Sequence, residues 1–298
     1  MVQTPALPFS AYAKDARVEI DAALERFTEF DSDCPAGLRE AIRHSLLAPC
    51  KRLRPLLVLM AAESCGSDRE AAMPVACAVE MVHTYSLIHD DLPAMDDDDL
   101  RRGLPTCHAK YGEAMGILAG DALLTKAFEV LACDVRDPSV AAACCAALAK
   151  AAGASGMVGG QVDDLAAEFQ DGGIEQLERI HRRKTGAMFL VSLRLGALVA
   201  DAESEQFAAL DAYGSRLGLA FQIADDLLDV RGEEAAMGKR IGKDSDRGKL
   251  TFPALLGVDE STRRARQLID EACAALAIFG ANASQLDALA RYVVERNR

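Results

Sequence analysis

The sequence has no tryptophan, and aromatic residues make up only 5% of its 298 residues. It has no uncharged apolar run of the roughly 18 residues that a membrane-spanning helix needs. Its N-terminus lacks the basic segment followed by an apolar one that directs export. We therefore expect a cytoplasmic protein with no membrane span. Half of the residues are hydrophobic and 27% are charged, which is typical of a globular chain with a sizeable core.

Positive charge is scarce. With 33 Lys and Arg against 46 Asp and Glu, the formal net charge is −13. Nucleic-acid binding needs basic surface that displaces counterions, and attachment to anionic lipid needs basic clusters, so neither is expected. A small anionic substrate remains compatible with this charge, because local basic groups or a bound metal ion can hold it on an acidic protein.

The nine cysteines include no C-x-x-C pair and no spacing that resembles a zinc site. Several lie in apolar helical text such as AAACCAALA, so we expect reduced, buried thiols. Nucleotide-binding motifs are also missing. There is no G-x-G-x-x-G, and GKDSDRGKL has neither the spacing nor the final Ser/Thr of a P-loop.

The hydrophobic periodicity is helical almost throughout, as in residues 174–198, where core positions recur at steps of three and four. No convincing alternating strand and no Asn-Gly hairpin is found. Pro74 is expected in the first turn of the helix that leads to the HDDL segment. Since no Ser/Gly/Pro-rich linker divides the chain, we predict one all-α domain over residues 1–298, a bundle of about a dozen helices.

An acidic cluster lies in an apolar helix, FQIADDLLDV. Asp225 and Asp229 are four residues apart and Asp226 and Asp229 are three apart, which predicts one shared face. Like charges among residues that favour burial are unfavourable unless a cation neutralises them. Carboxylate oxygens select hard Mg²⁺, which keeps water ligands and bridges to substrate phosphates. The cluster therefore predicts a magnesium site.

A second acidic segment, HDDLPAMDDDDLRRG, ends a long apolar helix and contains Asp90, Asp91 and residues 96–99. Asp90 and Asp96 do not share a face of a regular helix. Pro93 disfavours helix at the residue before it, so we expect a break there that re-aims Asp96. For residues 97–99 a solvated acidic surface is the alternative interpretation.

Basic residues stand where an anion is expected to bind. The KRLRP segment, residues 51–55, opens an apolar helix, where positive charge opposes the macrodipole but combines with free backbone N–H groups into an anion site. Arg101 and Arg102 follow the acidic segment, and either neutralise it or hold a diphosphate with bidentate forks. His83 lies two helical turns before Asp90 on the same face, as either a core residue or part of the site.

Six segments, in their order and spacing, resemble the bacterial short-chain trans-prenyltransferases, and among these most closely the farnesyl diphosphate synthases: KRLRP, HDDLPAMDDDDLRRGLPT, GGQVDDL, HRRKTGAM, FQIADDLLDV and GKDSDRGKLTFP. The resemblance covers about residues 38–298. It implies the isoprenoid synthase fold, with helices around a deep central cavity, a homodimer, and three Mg²⁺ ions between two aspartate motifs. The implied substrates are isopentenyl diphosphate and an allylic diphosphate, dimethylallyl or geranyl, which are joined head to tail with release of diphosphate.

The same resemblance implies roles for single residues. The implied metal ligands are Asp90, Asp91, Asp96, Asp225, Asp226 and Asp229. The implied isopentenyl diphosphate site is Lys51, Arg54, His83 and Arg102, and the implied allylic diphosphate site is Arg101, Lys184, Thr185, Gln222 and Lys239. The implied catalytic set is Asp90, Asp96, Arg101, Lys184, Asp225 and Lys239. Cys50 departs from the pattern, because the family usually has glycine before the KRLRP segment.

Product length is expected to be set below the acidic segment. Tyr85 lies five residues before Asp90, about 7.5 Å along the helix axis, where a ring can close the tunnel for the growing chain, and Ser86 leaves space beside it. This predicts a C15 product, with C10 and C20 synthases as alternatives. A terpene cyclase is disfavoured because cyclases usually carry an Asn/Ser/Glu pattern in place of DDLLD. A non-catalytic partner subunit is disfavoured because no aspartate motif or diphosphate lysine is lost.

Overall fold

The computed structural model describes residues 8–169, 172–231 and 250–295, and within these ranges twelve α-helices have eight or more residues. The α-helices are α1 Phe9–Phe27, α2 Ala36–Leu46, α3 Leu53–Ser64, α4 Arg69–Asp90, α5 Cys107–Tyr111, α6 Glu113–Asp134, α7 Pro138–Ala152, α8 Met157–Ala167, α9 Ile174–His181, α10 Ala187–Val199, α11 Ser204–Arg231, α12 Phe252–Leu256, α13 Val258–Ala275 and α14 Ser284–Glu295. A π-helical turn, Arg182–Gly186, joins α9 to α10, and a 3₁₀ segment, Leu276–Ala283, joins α13 to α14. The predicted all-α bundle of about a dozen helices is confirmed.

Helix α4 lies at the centre of the bundle and packs against α3, α6 and α10. The expectation that Pro74 lies in its first turn is wrong, because the helix begins five residues earlier at Arg69. The carboxylate of Asp68 accepts a hydrogen bond from the backbone N–H of Ala71 at 2.8 Å and so caps the helix. Pro74 is therefore inside the helix, where its ring costs one backbone hydrogen bond.

Buried side chains form one continuous cluster whose members extend from Tyr12 to Val293. A smaller cluster lies beneath α12 and contains Leu177, Leu219, Ile223, Leu227, Phe252 and Ala265. This smaller cluster includes residues on the inner face of α11, next to Asp225. Helix α11, which carries the FQIADDLLDV cluster, is therefore fixed between two packed layers. The assignment of the whole chain to one domain stays a prediction.

Three helical stretches are long and apolar enough to cross a membrane, judged by length and composition only: Arg69–Asp90, Pro138–Ala167 and Val258–Glu295. The first is α4, whose apolar window is 72% buried against other helices. The other two each combine a pair of helices and are 33% buried. The expected absence of a membrane span therefore stays a prediction.

A short hairpin follows the acidic segment, and the sequence patterns missed it. Strands β1 Leu100–Arg101 and β2 Leu104–Pro105 pair antiparallel, with Arg101 opposite Leu104. Each strand has two residues, which is too short for an alternating pattern. Arg102 and Gly103 form the turn with φ of 54° and 75°, the positive values that a type I′ turn requires at both central positions. Arg-Gly therefore takes the place of the expected Asn-Gly signal.

Candidate active site

The acidic segment turns back on itself where α4 ends. The helix stops at Asp90, and the N–H of Asp96 donates to the carbonyl oxygen of Asp90 at 2.7 Å. The N–H of Asp98 donates to the carbonyl oxygen of Asp91 at 3.1 Å, and Asp97 has a φ of 50°. The predicted break after Asp90 is thus present, and it brings Asp96 back beside the end of the helix.

Asp91 and Arg101 form a bidentate ion pair. The Nε of Arg101 lies 2.7 and 2.9 Å from the two carboxylate oxygens of Asp91, and its Nη2 lies 2.6 Å from Oδ1. Asp91 is buried, with 3% of its surface exposed. Of the two interpretations of Arg101, the structure shows the neutralising salt bridge. This pair ties the hairpin to the end of α4 and sets Asp91 apart from Asp90 and Asp96.

Asp90 is crowded by other charges. Burial raises its pKa to about 6, Lys184 and Arg101 oppose this rise, and Asp96 and Asp91 add to it. The carboxylate is therefore held in a place that disfavours its own charge. A cation bound nearby would stabilise the ionised form of this carboxylate.

Lys184 lies in the π-helical turn between α9 and α10, where its Nζ contacts Oδ2 of Asp164 on α8 at 2.7 Å. Burial lowers the pKa of Lys184, but Asp164, Asp90 and Asp96 together outweigh burial and raise it. The ammonium group therefore stays charged and faces both Asp164 and the acidic segment. Single π turns often occur at functional sites.

Helix α8 lies directly against this turn because it carries a glycine at the contact. A Cβ atom on Gly160 would lie 2.3 Å from the backbone N of Lys184. Asp164 follows one helical turn later and supplies the carboxylate. The GGQVDDL segment thus provides the close approach and the ionic partner of Lys184. The spacing of Gly160 and Asp164 is the signal that sequence reasoning did not use.

Several cations meet at the N-terminus of α3. Arg52 is the N-cap residue and is buried, Arg54 is partly buried and Lys51 is exposed. The guanidinium of Arg54 lies 5.5 Å from the centre of the Phe189 ring, and its Nε has no hydrogen-bond partner within the part of the chain that the structure describes. An unused buried donor among cations favours an anionic ligand.

The cations around Arg54 also act on one another. Burial lowers the pKa of Arg54 to about 10, Glu80 and Asp225 oppose this change, and Arg102 adds to it. Burial, followed by the charges of Arg54 and Arg102, holds the pKa of His83 well below its ordinary value. His83 is therefore a neutral imidazole within a positive field. These contributions place the proposed isopentenyl diphosphate residues Arg54, His83 and Arg102 together, with Asp225 near them.

The three aspartates of α11 differ in their surroundings. Asp226 is buried, and its Oδ2 accepts a hydrogen bond from the backbone N–H of Phe252 at 2.8 Å. It therefore fixes the first residue of α12. Asp225 and Asp229 are partly exposed. Adjacent helical positions are about 100° apart, which explains why Asp226 points to a different neighbour from Asp225.

The remaining predicted residues are less constrained. Thr185 follows Lys184 in the π turn, and Gln222 lies one turn before the aspartates of α11, and both are partly buried. Lys239 lies outside the described residues. Within residues 8–169, 172–231 and 250–295, no group of three or more His, Cys, Asp and Glu side chains is arranged to hold a metal ion.

Comparison with known proteins identifies the family of this chain. A sequence profile described as polyprenyl synthetase matches residues 35–283. The chain belongs to the polyprenyl synthetase family. A curated relative in this family, named farnesyl diphosphate synthase, from Escherichia coli (strain K12), is 49% identical over 267 residues, which are 87% of this chain and 89% of the relative. Another, named geranylgeranyl diphosphate synthase, from Cyanophora paradoxa, is 45% identical over 266 residues, 88% and 89% of the two chains.

Among solved structures, an FPP/GFPP synthase from Zymomonas mobilis is similar with a TM-score of 0.87 and 40% identity, and the match covers 96% of this chain and 98% of that one. The resemblance seen in the six segments and the predicted fold are both confirmed.

Tyr85, the residue predicted to limit product length in this polyprenyl synthetase, is buried, and its ring lies edge-on to that of His89, with 5.7 Å between the centres. The Nε2 of His89 lies 3.1 Å from the carbonyl oxygen of Ile117 on α6. A Cβ atom on Gly120 would lie 2.1 Å from the same Nε2, so glycine at this position leaves room for the His89 ring in its present rotamer. Sequence reasoning missed His89. Ser86 is partly buried, and its hydroxyl donates to the carbonyl oxygen of His83 at 2.8 Å.

Proposed function

We propose that this polyprenyl synthetase joins isopentenyl diphosphate head to tail to dimethylallyl or geranyl diphosphate and makes farnesyl diphosphate as its main product. Trans-prenyl transfer is supported by the relatives named farnesyl diphosphate synthase at 44–49% identity. Within the structure, the proposal depends on one observation: cationic side chains lie in two separate places beside the acidic segment. One contains Arg54 and Arg102, and the other contains Lys184.

Magnesium is part of the proposal. Carboxylate oxygens fit Mg²⁺ well, and the raised pKa of Asp90, about 6, marks a place where a cation is favoured. Because no described group of three acids forms a closed site, the ions would bind one or two carboxylates each and complete their shells with water and phosphate oxygens. Asp90 and Asp96 would hold the ions from the end of α4, and Asp225 and Asp229 would hold them from α11. Three ions would bind in total. When bound, Mg²⁺ supplies the positive charge that makes diphosphate a good leaving group.

The residues of the chain position both substrates. Lys184 would exchange Asp164 for an oxygen of the allylic diphosphate and stabilise negative charge there as the allylic C–O bond breaks and its electron pair leaves with diphosphate. Arg54, neutral His83 and Arg102 would hold isopentenyl diphosphate so that its double bond attacks the allylic carbon. A proton then leaves the new chain for the departing diphosphate. Thr185 and Gln222, with nearby backbone carbonyl dipoles, would stabilise the allylic cation.

Product length would be limited by Tyr85 and its contact with His89, which favours a stop at fifteen carbons. The similarity to a relative named geranylgeranyl diphosphate synthase keeps a C20 product as the second candidate. The test is to incubate the purified protein with isopentenyl diphosphate, Mg²⁺ and each allylic diphosphate in turn, then to size the products. We expect C15 to dominate from both dimethylallyl and geranyl diphosphate. A dominant C10 or C20 product would contradict the assignment.

We also propose that the protein is a cytoplasmic homodimer. On α6, Ile117 and Leu118 are 46% and 55% exposed, and on α8 Val158 and Val162 are 46% and 61% exposed. A second copy of the chain would cover such apolar surface. Sedimentation equilibrium tests this, with twice the chain mass expected and a monomer at micromolar concentration as the contrary result. Free thiols at all nine cysteines fit a reducing compartment.

A further inference from the structure

Glu80 is a fully buried carboxylate at the centre of α4, with 1% of its surface exposed. Its Oε1 accepts a hydrogen bond from Nη1 of Arg52 at 2.8 Å and one from the thiol of Cys50 at 3.5 Å. Arg52 is itself 2% exposed, and its Nε donates to Oδ1 of Asp21 at 2.8 Å. The side chain of Asp21 is 48% exposed. Glu80 is therefore the inner partner and Asp21 the outer partner of one buried arginine.

Arg52 holds an unusual backbone conformation. As the N-cap of α3 it has φ 49° and ψ 40°, in the left-handed region that residues other than glycine rarely adopt. Such a conformation is strained and persists only where the surroundings fix it. Two ion pairs fix the Arg52 side chain. Its chain neighbours Lys51 and Arg54 belong to the proposed isopentenyl diphosphate site, so the turn at Arg52 determines where both lie.

Glu80 also offsets the positive charge of the site. The pKa of Arg54 is lowered chiefly by burial, and Glu80 is the largest contribution that opposes this change. Burial and Glu80 together raise the pKa of the Cys50 thiol, so Cys50 stays protonated and can donate to Glu80. Cys50, which replaces the glycine usual in the family, is thus a second donor to the same carboxylate, beside Arg52.

We infer that Glu80 is a positioning residue for isopentenyl diphosphate, because its pairing with Arg52 fixes the turn that carries Lys51 and Arg54. The inference rests on the proposed function and deepens it. Removing one partner of a buried ion pair leaves the other without compensation. Loss of the Glu80 charge should therefore shift the turn and weaken one substrate site, while Lys184 keeps its own partner, Asp164.

The test compares Glu80→Gln with Glu63→Gln. Glu63 is a matched control because it is a partly buried carboxylate that pairs with an arginine, Arg69, at 2.7 Å and accepts from the Tyr12 hydroxyl at 2.6 Å. It lies at the opposite end of α3 from Arg52. Both variants should lower the melting temperature. Only Glu80→Gln should change substrate binding.

Calorimetry with isopentenyl diphosphate alone gives Kd without turnover, and steady-state rates give KM for each substrate. We expect Glu80→Gln to raise Kd and KM for isopentenyl diphosphate about tenfold, roughly 1.4 kcal/mol, with KM for geranyl diphosphate changed less than about twofold. An equal rise for both substrates, or no rise, would overturn the inference. If Glu80→Gln does not fold, Asp21→Asn takes its place in the test. A selective rise in the Kd for isopentenyl diphosphate would support the inference, and an unchanged Kd would overturn it. Failure of the wild type to form product would instead count against the proposed function.

Discussion

Gly160→Ala would place a methyl group between α8 and the π turn that carries Lys184. The new Cβ would lie 2.3 Å from the N and 2.7 Å from the Cα of Lys184, and 2.8 Å from the carbonyl carbon of Arg183. All three are backbone atoms, so no side-chain rotation relieves the clash. Since ordinary contact begins near 3.4 Å, the two elements must separate by about 1 Å.

That displacement moves Lys184 relative to Asp164 and Asp90. A shift of about 1 Å at a catalytic group lowers rates by up to about 100-fold, so we expect kcat to fall by about 10- to 100-fold. Overpacking should also lower the unfolding free energy by about 1–3 kcal/mol. The assay is the steady-state rate with geranyl and isopentenyl diphosphates. KM for isopentenyl diphosphate should change little, because Arg54 and Arg102, the residues proposed to bind it, do not contact this turn through Gly160.

Gly37→Ala is the matched control for this experiment. Gly37 is also in a helix, α2, and a Cβ there would meet only the flexible end of Met115, at 3.7 Å. We expect wild-type kcat and a stability change within about 1 kcal/mol. If Gly160→Ala also kept the wild-type kcat, the reasoning that α8 positions Lys184 through this contact would be refuted.

Three further predictions concern the acidic residues and the tunnel. Tyr85→Ala should lengthen the product beyond C15, as sized by chromatography, and an unchanged length would place the limit elsewhere. Asp225→Asn should lower kcat at least about 100-fold while the fold is kept, since one charge of the proposed magnesium site is lost; retained turnover would count against two acidic clusters acting together. Asp90→Asn should raise the melting temperature of the metal-free protein at pH 7. The folded-state pKa of Asp90, about 6, exceeds its unfolded value, so ionisation destabilises the fold as pH rises. The gain should shrink as the pH falls from about 6 and vanish by about pH 3, where both the folded and the unfolded state are protonated, and a loss of stability at pH 7 would contradict this explanation.

The fold was largely predictable because helical periodicity is a local signal. The break after Asp90 was predictable for the same reason, since Pro93 acts on the residue just before it. The true start of α4 was missed because the cap at Asp68 competes with the stronger-looking signal of Pro74. The hairpin was missed because its turn has Arg-Gly where Asn-Gly is the preferred sequence signal.

The pairings inside the site were less predictable because they join residues that are far apart in the sequence. Arg52 and Glu80 are 28 positions apart, and Lys184 and Asp164 are 20 apart. Periodicity marks a buried position but does not name its partner. The sequence placed Arg52 in the basic segment next to Lys51 without indicating that it faces inward. It also placed Asp226 with Asp225, although Asp226 binds the N–H of Phe252.

The central claim is magnesium-dependent prenyl transfer to a C15 product. A single-turnover reaction of geranyl diphosphate with labelled isopentenyl diphosphate tests it most directly, run with Mg²⁺ and again with excess chelator. The proposed function predicts labelled farnesyl diphosphate and one equivalent of diphosphate with Mg²⁺, and neither with chelator. Absence of condensation with Mg²⁺, or equal condensation with chelator, would contradict it.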